Sequence, residues 1–434
     1  MLLMKLNRDY RFDMRICTAT AKVFLVCLLS VCFLVFVATA DAAWKRHAVD
    51  NTSKGADGVR LMDVNGDVLM DIATGWEEGG VVRAYLHPGK TKVKQAWPTV
   101  TVGRVKSAED AVFVDLDGDG AVDVVSSCEG RTKTMFVHWA PKEKSKYLDG
   151  NSWQTEAIPA TVKKQSWMFC LPMDVDGKNG IDLVVSSKGS KAIVGVLLSP
   201  ENPRDLKAWQ YKTIYDAGWI MSLQKMDVNG DGFADVIASD RKGKNRGVLW
   251  LKHPGKKQVG AIDRWQQHRL GGENSECMFV DSRLVVKSGE KQKVLEVVVP
   301  VKSHSLLLMK QLIVKEGKLW KPDSTRKPVK ITVPSEQIGR MKGVRYGKGS
   351  NKGGCDFFVT CESANAPRFG VYGLIHAPKT GQPNHYKITD IAGPRGVKFD
   401  RIELIDLDGD GDQDILTCEE RDQLGVIWYE NPGN

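Results

Sequence analysis

Five times the chain writes an acidic loop of the form Asp-x-Asp/Asn-Gly, closed by another Asp at its ninth position and followed by a β-type apolar stretch. The copies occupy residues 63–71, 115–123, 174–182, 227–235 and 406–414. Oxygen side chains at loop positions 1, 3, 5 and 9 can surround a hard cation, with Gly permitting the sharp turn and a backbone carbonyl helping at position 7. That is the coordination Ca²⁺ asks for. One such loop would be a weak signal, because acidic turns are common. Five in register, the first four separated by 52 to 59 residues, mean a repeat.

A second ladder gives the same period. Trp44, Trp97, Trp153, Trp209, Trp265 and Trp320 lie 53 to 56 residues apart, and Tyr386 takes the seventh place. Each aromatic opens a short alternating strand. A second strand, the acidic loop, a third strand and a fourth ending in a Pro turn follow, as at Leu86-His-Pro-Gly89 and Lys252-His-Pro-Gly255. Period-2 alternation, β-branched residues and Gly/Pro punctuation argue for strands throughout. Four short strands per unit of about 55 residues, repeated radially, predict an all-β fold, a seven-bladed β-propeller of four-stranded blades. Two units have lost their loops, one after Asp281 and one near residues 346–352, yet keep their flanking strands. The chain stops where each earlier unit continues into its Trp-led strand, and such a strand, Trp44-Lys-Arg-His-Ala-Val49, stands near its start. The N-terminal strand is therefore expected to complete the last blade, closing the ring and removing an open edge.

Residues 1–22 are basic on balance, an apolar run spans 23–37, and small residues follow it. That pattern predicts a signal peptide over 1–40, with 41–434 a single propeller domain that is secreted, periplasmic or at the cell surface and has no membrane span. Removing five positive and two negative charges takes the net charge from +9 to +6. With the lysines scattered rather than striped, nucleic acid is not an expected partner. A monomer is expected. Cys128, Cys170, Cys277, Cys355, Cys361 and Cys418 remain, without Cys-x-x-Cys spacing, which argues against a zinc or redox motif. An even number permits disulfides in an exported protein, with Cys128–Cys170 a reasonable bridge; the alternative is that several are buried small hydrophobes.

The acidic loops resemble those of the FG-GAP/VCBS repeat family, the blades of integrin α-subunit propellers and of many secreted bacterial proteins. The resemblance covers residues 44–434 and implies structural Ca²⁺ at about four sites. The ligands it implies are Asp63, Asn65, Asp67 and Asp71; Asp115, Asp117, Asp119 and Asp123; Asp227, Asn229, Asp231 and Asp235; and Asp406, Asp408, Asp410 and Asp414. The first loop has Val68 where Gly is usual. The Asp174 loop puts Lys178 in the third ligand place, and its ammonium is expected to pair with Asp174, Asp176 and Asp182 and leave that loop empty. The resemblance also implies that ligands bind the face opposite the Ca²⁺ loops.

That opposite face collects the loops after each third strand and before each second one. It carries Trp76, Glu129, Trp167, Trp219, Asp240, Arg241, Glu362 and Glu419 as ligand-binding candidates. Carboxylates, an Asp-Arg pair and Trp rings around a concave mouth suit a polysaccharide, the rings stacking on sugar faces; an extracellular or cell-surface protein is the other expected partner. The basic run 240–246 suits an acidic polysaccharide. His87, His138, His253 and His376 recur near the Pro turns, a recurrence that packing explains better than catalysis. Two classes of function remain: a carbohydrate- or protein-binding module, and a carbohydrate-active enzyme such as a polysaccharide lyase or sugar dehydratase, which would need a positioned acid/base pair.

Overall fold

The computed structural model describes residues 44–255, 265–286, 293–316, 319–323, 327–348 and 355–433. The expected leader, the Trp320 side chain and part of the degenerate loop after Tyr346 lie outside what it describes. Strand β1 (Lys45–Asp50) comes first. Blade 1 is β2 (Ala56–Met62), β3 (Asp71–Trp76), β4 (Val81–Tyr85) and β5 (Thr99–Gly103). Blade 2 is β6 (Ala108–Val114), β7 (Asp123–Cys128), β8 (Thr134–Trp139) and β9 (Gln154–Ala157). Blade 3 is β10 (Ser166–Met173), β11 (Asp182–Lys188), β12 (Ile193–Leu198) and β13 (Gln210–Asp216). Blade 4 is β14 (Ile220–Met226), β15 (Asp235–Asp240), β16 (Gly247–Lys252) and β17 (Gln266–Gly271). Blade 5 is β18 (Asp281–Val286), β19 (Lys293–Val301) and β20 (Ser305–Glu316), with an outer position shared by β21 (Leu319–Asp323) and β22 (Val329–Thr332). Blade 6 is β23 (Arg340–Tyr346), β24 (Phe357–Glu362), β25 (Val371–His376) and β26 (Tyr386–Asp390). Blade 7 is β27 (Phe399–Ile405), β28 (Asp414–Glu419) and β29 (Gly425–Glu430). Its fourth strand is β1, which pairs antiparallel with β29. The chain is an all-β, seven-bladed propeller closed by its first described strand.

Each blade turns one apolar face to each neighbour, so the core divides into seven inter-blade clusters among the described residues. One joins blades 1 and 2 around Phe113 and Tyr147, for example, and another closes the ring between blades 7 and 1 around Trp76 and Trp428. This division settles the cysteines. All six are buried and unpaired. Cys128 packs between blades 1 and 2 and Cys170 between blades 2 and 3. The other four fall in four further clusters. No two thiols share a core, so the expected Cys128–Cys170 bridge does not form.

Polar ties cross the blade boundaries nearer the axis. Arg60 donates to both Asp110 oxygens at 2.7 and 2.8 Å, and Asp110 also accepts from the Cys170 N–H of blade 3. Arg345 forks onto Glu403 of blade 7, with Arg401 donating to the same carboxylate at 2.7 Å. Burial opposes charge on Glu403, but the two guanidiniums hold its carboxyl down to about 2. Most of the recurrent histidines pack as expected: His47 stacks on Trp428 at 4.4 Å, and His87 and His253 reach the backbone carbonyls of Leu407 and Val175 in the loops of the preceding blades, whereas His376 is exposed.

Loop geometry explains the glycines. Positions 4 and 6 of all five acidic loops take positive φ. Position 6 is Gly120, Gly232 and Gly411 in three loops, Asn179 in one, and Val68 (φ 71°) in the first. A β-branched residue pays the left-handed penalty there, and Val68 recovers nothing by burial, being 84% exposed. Replacing it by Gly (Val68→Gly) is expected to raise unfolding free energy by about 1 kcal/mol in denaturant titration. Deleting residues 44–50 would uncover the edge of β29 and the face of Trp428. It is expected to destabilise the whole ring by about 3 kcal/mol or more in one melting transition, as loss of large buried aromatic contacts does.

Candidate functional site

The loop face is organised by the ninth residue of each acidic loop. Asp71 accepts from the Val64 N–H of its own loop and from the His87 N–H of the Pro turn, at 2.9 and 2.8 Å. Asp123 does the same with Leu116 and Ala140, Asp182 with Val175 and Ser199, Asp235 with Val228 and His253, and Asp414 with Leu407 and Asn431. Burial outweighs these hydrogen bonds. It pushes the carboxyls up to about 6 at Asp71 and Asp182 and about 7 at Asp123, Asp235 and Asp414.

The donor sets suit a hard cation. Oxygens of Asp115, Asp117 and Asp123 lie within 4.8 Å of one another, as do those of Asp406, Asp408 and Asp414. Asp115 Oδ1, within the first of these sets, and Asp412 Oδ1, in the same loop as the second, are buried without a hydrogen-bond donor. In the other two asparagine-bearing loops, Asn65 and Asn229 each donate to the position-5 carboxylates of Asp67 and Asp231. The Asp174 loop differs from expectation. Asp174, Asp176 and Asp182 also converge, while Lys178 is exposed and forms no ion pair with them among the described residues. Asp176 accepts from the Lys178 backbone N–H, so the chain there is held by its amide and the ammonium stays in water. Cations do reach the loops, but from the following blade: Arg204 sits 2.5 Å from Asp117 and Lys94 3.1 Å from Asp408.

The opposite face holds a funnel of about 420 Å³ around the axis. Asp57, Glu77, Glu109 and Glu129 line it from blades 1 and 2, and Asp400 from blade 7. Lys188, Arg241, Lys242, Lys302 and Lys342 face them from blades 3 to 6, and Lys398 joins from the approach to blade 7. At its floor the buried Lys342 ammonium lies 2.9 Å from Asp400 and 3.0 Å from Glu420, and Lys398 pairs with the same Glu420. Burial first, then the negative charge of Asp400 beside it, raises the Asp57 carboxyl well above the usual range. Asp400 itself stays ionised: burial opposes this, but Lys342 holds it at about 2. Burial pushes Glu109 up to about 8 against the pull of Lys188. The funnel thus offers protonated carboxyls, carboxylates and ammonium groups within one concavity.

The sequence candidates divide. Glu129, Trp219, Arg241 and Glu362 line the funnel. Trp76 and Trp167 are fully buried, their indole N–H groups donating to Tyr85 Oη and the Thr161 carbonyl, so neither offers a ring to a ligand. Asp240 and Glu419 are buried loop anchors. Asp240 accepts from the N–H groups of Gly218, Trp219 and Lys242, and Glu419 from those of Val397, Lys398, Arg421 and Asp422. Trp219 is half-buried beneath three cations, Arg241 at 4.3 Å, Lys188 at 4.7 Å and Lys242 at 5.1 Å, which leaves little free ring for stacking.

Four funnel cations, Lys188, Lys302, Lys342 and Lys398, went unread in the sequence, although a signal existed for the first. Lys188 closes its strand opposite Ser166 just as Cys128 does opposite Ala108, Asp240 opposite Ile220 and Glu362 opposite Arg340. Carrying the repeat register through every blade finds it.

Residues 63–126, from the first acidic loop to the strand after the second, match the FG-GAP-like repeat. The matched segment covers most of one blade and the start of the next in a closed ring of seven. The chain is a β-propeller that carries an FG-GAP-like repeat. No curated protein matches it. In this propeller the anchoring roles of Asp240 and Glu419 are structural. Asp240→Ala is expected to cost about 2 kcal/mol of stability by orphaning the buried N–H groups it serves, which denaturant titration would read.

Proposed function

We propose that this FG-GAP propeller is a calcium-stabilised, exported module that binds a carbohydrate in the axial funnel. The observation that carries the reading is the mixed lining: protonated carboxyls, carboxylates and ammonium groups around a single mouth. Sugar hydroxyls each donate and accept, so a surface offering both is complementary to them. The funnel's volume falls within the range of small-ligand pockets, about 300–1,000 Å³. With Trp76 and Trp167 buried, recognition rests on hydrogen bonds rather than on stacked rings. Glutamates Glu77 and Glu129 stand at the wall. Changing both to Gln is expected to weaken binding about tenfold or more, since hydrogen bonds to charged groups contribute about 1.5–3 kcal/mol each. A glycan-array screen in Ca²⁺, followed by titration of the hits, reads this. No glycan binding, or binding indifferent to these substitutions, would sink the proposal in favour of a protein partner.

One observation favours the second reading, a carbohydrate-active enzyme. Glu109, held near 8 beside Lys188, is poised as a proton donor at neutral pH. Mass spectrometry of each bound glycan distinguishes the two: a new product that disappears in Glu109→Gln means catalysis, and unchanged glycan means binding alone.

Calcium belongs to the same proposal. When bound in the acidic loops it supplies the positive charge that their converging carboxylates lack, and export would place the chain where Ca²⁺ is abundant enough for weak extracellular sites. EDTA is expected to lower the melting temperature and Ca²⁺ to restore it. The pH dependence has a definite sign. The five buried carboxyls titrate at about 6–7 in the metal-free fold and near 4 when unfolded. The fold therefore takes up protons that the unfolded chain does not, and metal-free stability rises as pH falls from about 7.5 to 5. Ca²⁺ competes with those protons, so its stabilising effect is expected to be largest above pH 7 and to shrink toward pH 5. Equal melting shifts at both pH values would contradict metal binding at these residues.

A further inference from the structure

A second concavity of about 850 Å³ opens between blades 3 and 4 and shares Trp219 and Lys242 with the funnel. Its walls are two hairpin turns, 189–192 joining β11 to β12 and 242–245 within the link from β15 to β16. Its floor is backbone. The Gly189 N–H donates to the Gly218 carbonyl at 3.1 Å, Ala217 N–H to the Ala192 carbonyl at 2.8 Å, and Arg241 N–H to the Trp219 carbonyl at 2.7 Å. Buried Asp240 locks the same segment through the Gly218 and Trp219 N–H groups. At Gly218 an added Cβ would fall 2.1 Å from the Lys242 carbonyl, so only glycine lets the link between β13 and β14 approach the 242–245 turn this closely. The groove is therefore pre-formed and flat-floored.

Its charge is one-sided. Lys191, Lys242 and Lys244 are exposed on the two turns and have no carboxylate at ion-pair distance among the described residues, whereas the cations deeper in the funnel are paired. Asp216 is the one acidic residue of the lining. A separate observation also points to a ligand: Trp219 Nε1, at the junction of groove and funnel, is buried without an acceptor. An anionic oxygen arriving along the groove would answer both the free ammonium groups and this orphaned donor.

We propose that this groove is a subsite for carboxylate- or sulfate-bearing sugar units, and that the ligand runs from it into the funnel. The inference rests on the carbohydrate reading and adds to it the ligand's charge. An acidic peptide fits less well, because the Gly-rich floor between the turns (Gly189, Gly218, Gly243) offers no separate pockets for alternating side chains.

The test is titration of the full chain in Ca²⁺ with oligogalacturonate and its methyl ester, and with dextran sulfate and plain dextran fragments, at low and moderate salt. The variant Lys191→Ser/Lys242→Ser/Lys244→Ser alters only exposed side chains, and its melting temperature serves as the folding control. At least one acidic probe is expected to bind about tenfold tighter than its neutral counterpart, as three exposed ion contacts would provide. The preference should shrink with salt and vanish in the triple variant. A preference for oligogalacturonate alone identifies carboxylate as the group read, and one for dextran sulfate alone identifies sulfate. Equal affinity for charged and neutral partners overturns the groove and leaves the funnel reading standing. An acid preference that survives in the triple variant also overturns it. If the preference holds in the Glu77→Gln/Glu129→Gln variant with affinity unchanged, the groove stands and the funnel reading falls. Binding of no probe overturns the anionic subsite.

Discussion

The carboxylate at the ninth position of each acidic loop is the contact on which the rest of the propeller depends. It takes one N–H from its own loop and another from the turn after the next strand but one, so it fixes the inner and outer ends of a blade to each other. To do so it must be buried, and burial makes its charge costly. The loops solve this by gathering more oxygen around it rather than less, an arrangement that makes sense when a divalent cation supplies the missing positive charge. Blade 6 separates the two jobs. Its loop has lost the acidic series, yet Asp356, immediately before β24, still accepts from the His376 N–H at 2.6 Å. The staple is therefore separable from the acidic series, and without it the Pro turn would lose its partner.

Ring geometry then decides what the other face can do. Inner strands run from the funnel to the loop face: β2 carries Asp57 near one end and leads into Asp63 at the other, and β27 joins Asp400 to Asp406 in the same way. Because each strand is held by apolar clusters on both sides, the funnel carboxyls are positioned by the same packing that positions the loops. Asp57 and Asp400 come from different blades and meet only because the ring closes. Closure by β1 thus matters to the funnel as well as to stability, since it sets the spacing between blades 7 and 1.

Much of this was legible in the chain, and for a physical reason. Loop and strand patterns recur, so an error in one copy is corrected by the others; the blade count, the closing strand and the packing role of the histidines all followed from register. What failed were readings of single residues. Trp76 and Trp167 sit at loop-proximal positions where exposure was expected, but a β-strand end points alternately to either side, and both rings turned into inter-blade cores. Asp240 and Glu419 look like free acids in sequence, yet each is consumed by backbone N–H groups of its own turn and of the link that precedes its blade's first strand. The cysteines permitted bridges by parity and position, but adjacent interfaces are separated by a whole sheet. Lysines were discounted because they are scattered along the sequence. A propeller gathers residues 50 or more apart onto one axis, and Lys188, Lys302, Lys342 and Lys398 converge there.

That convergence also bears on the choice between binding and catalysis. A funnel built only to hold a neutral sugar would not need buried lysines, whose desolvation is expensive unless each is met by carboxylates. Here Lys342 is matched by Asp400 and Glu420, and Asp57 remains beside them with its charge suppressed. The cluster therefore holds one more carboxyl than its cations neutralise. A surplus acidic proton in a buried floor is what a ligand hydroxyl or carboxylate could exchange with, and the protein keeps it there through burial first and the neighbouring charge of Asp400 second. Under the proposed reading, the floor is the part of the funnel where affinity would depend most steeply on a ligand's own charge, and the groove beside Trp219 is where that charge would first be met.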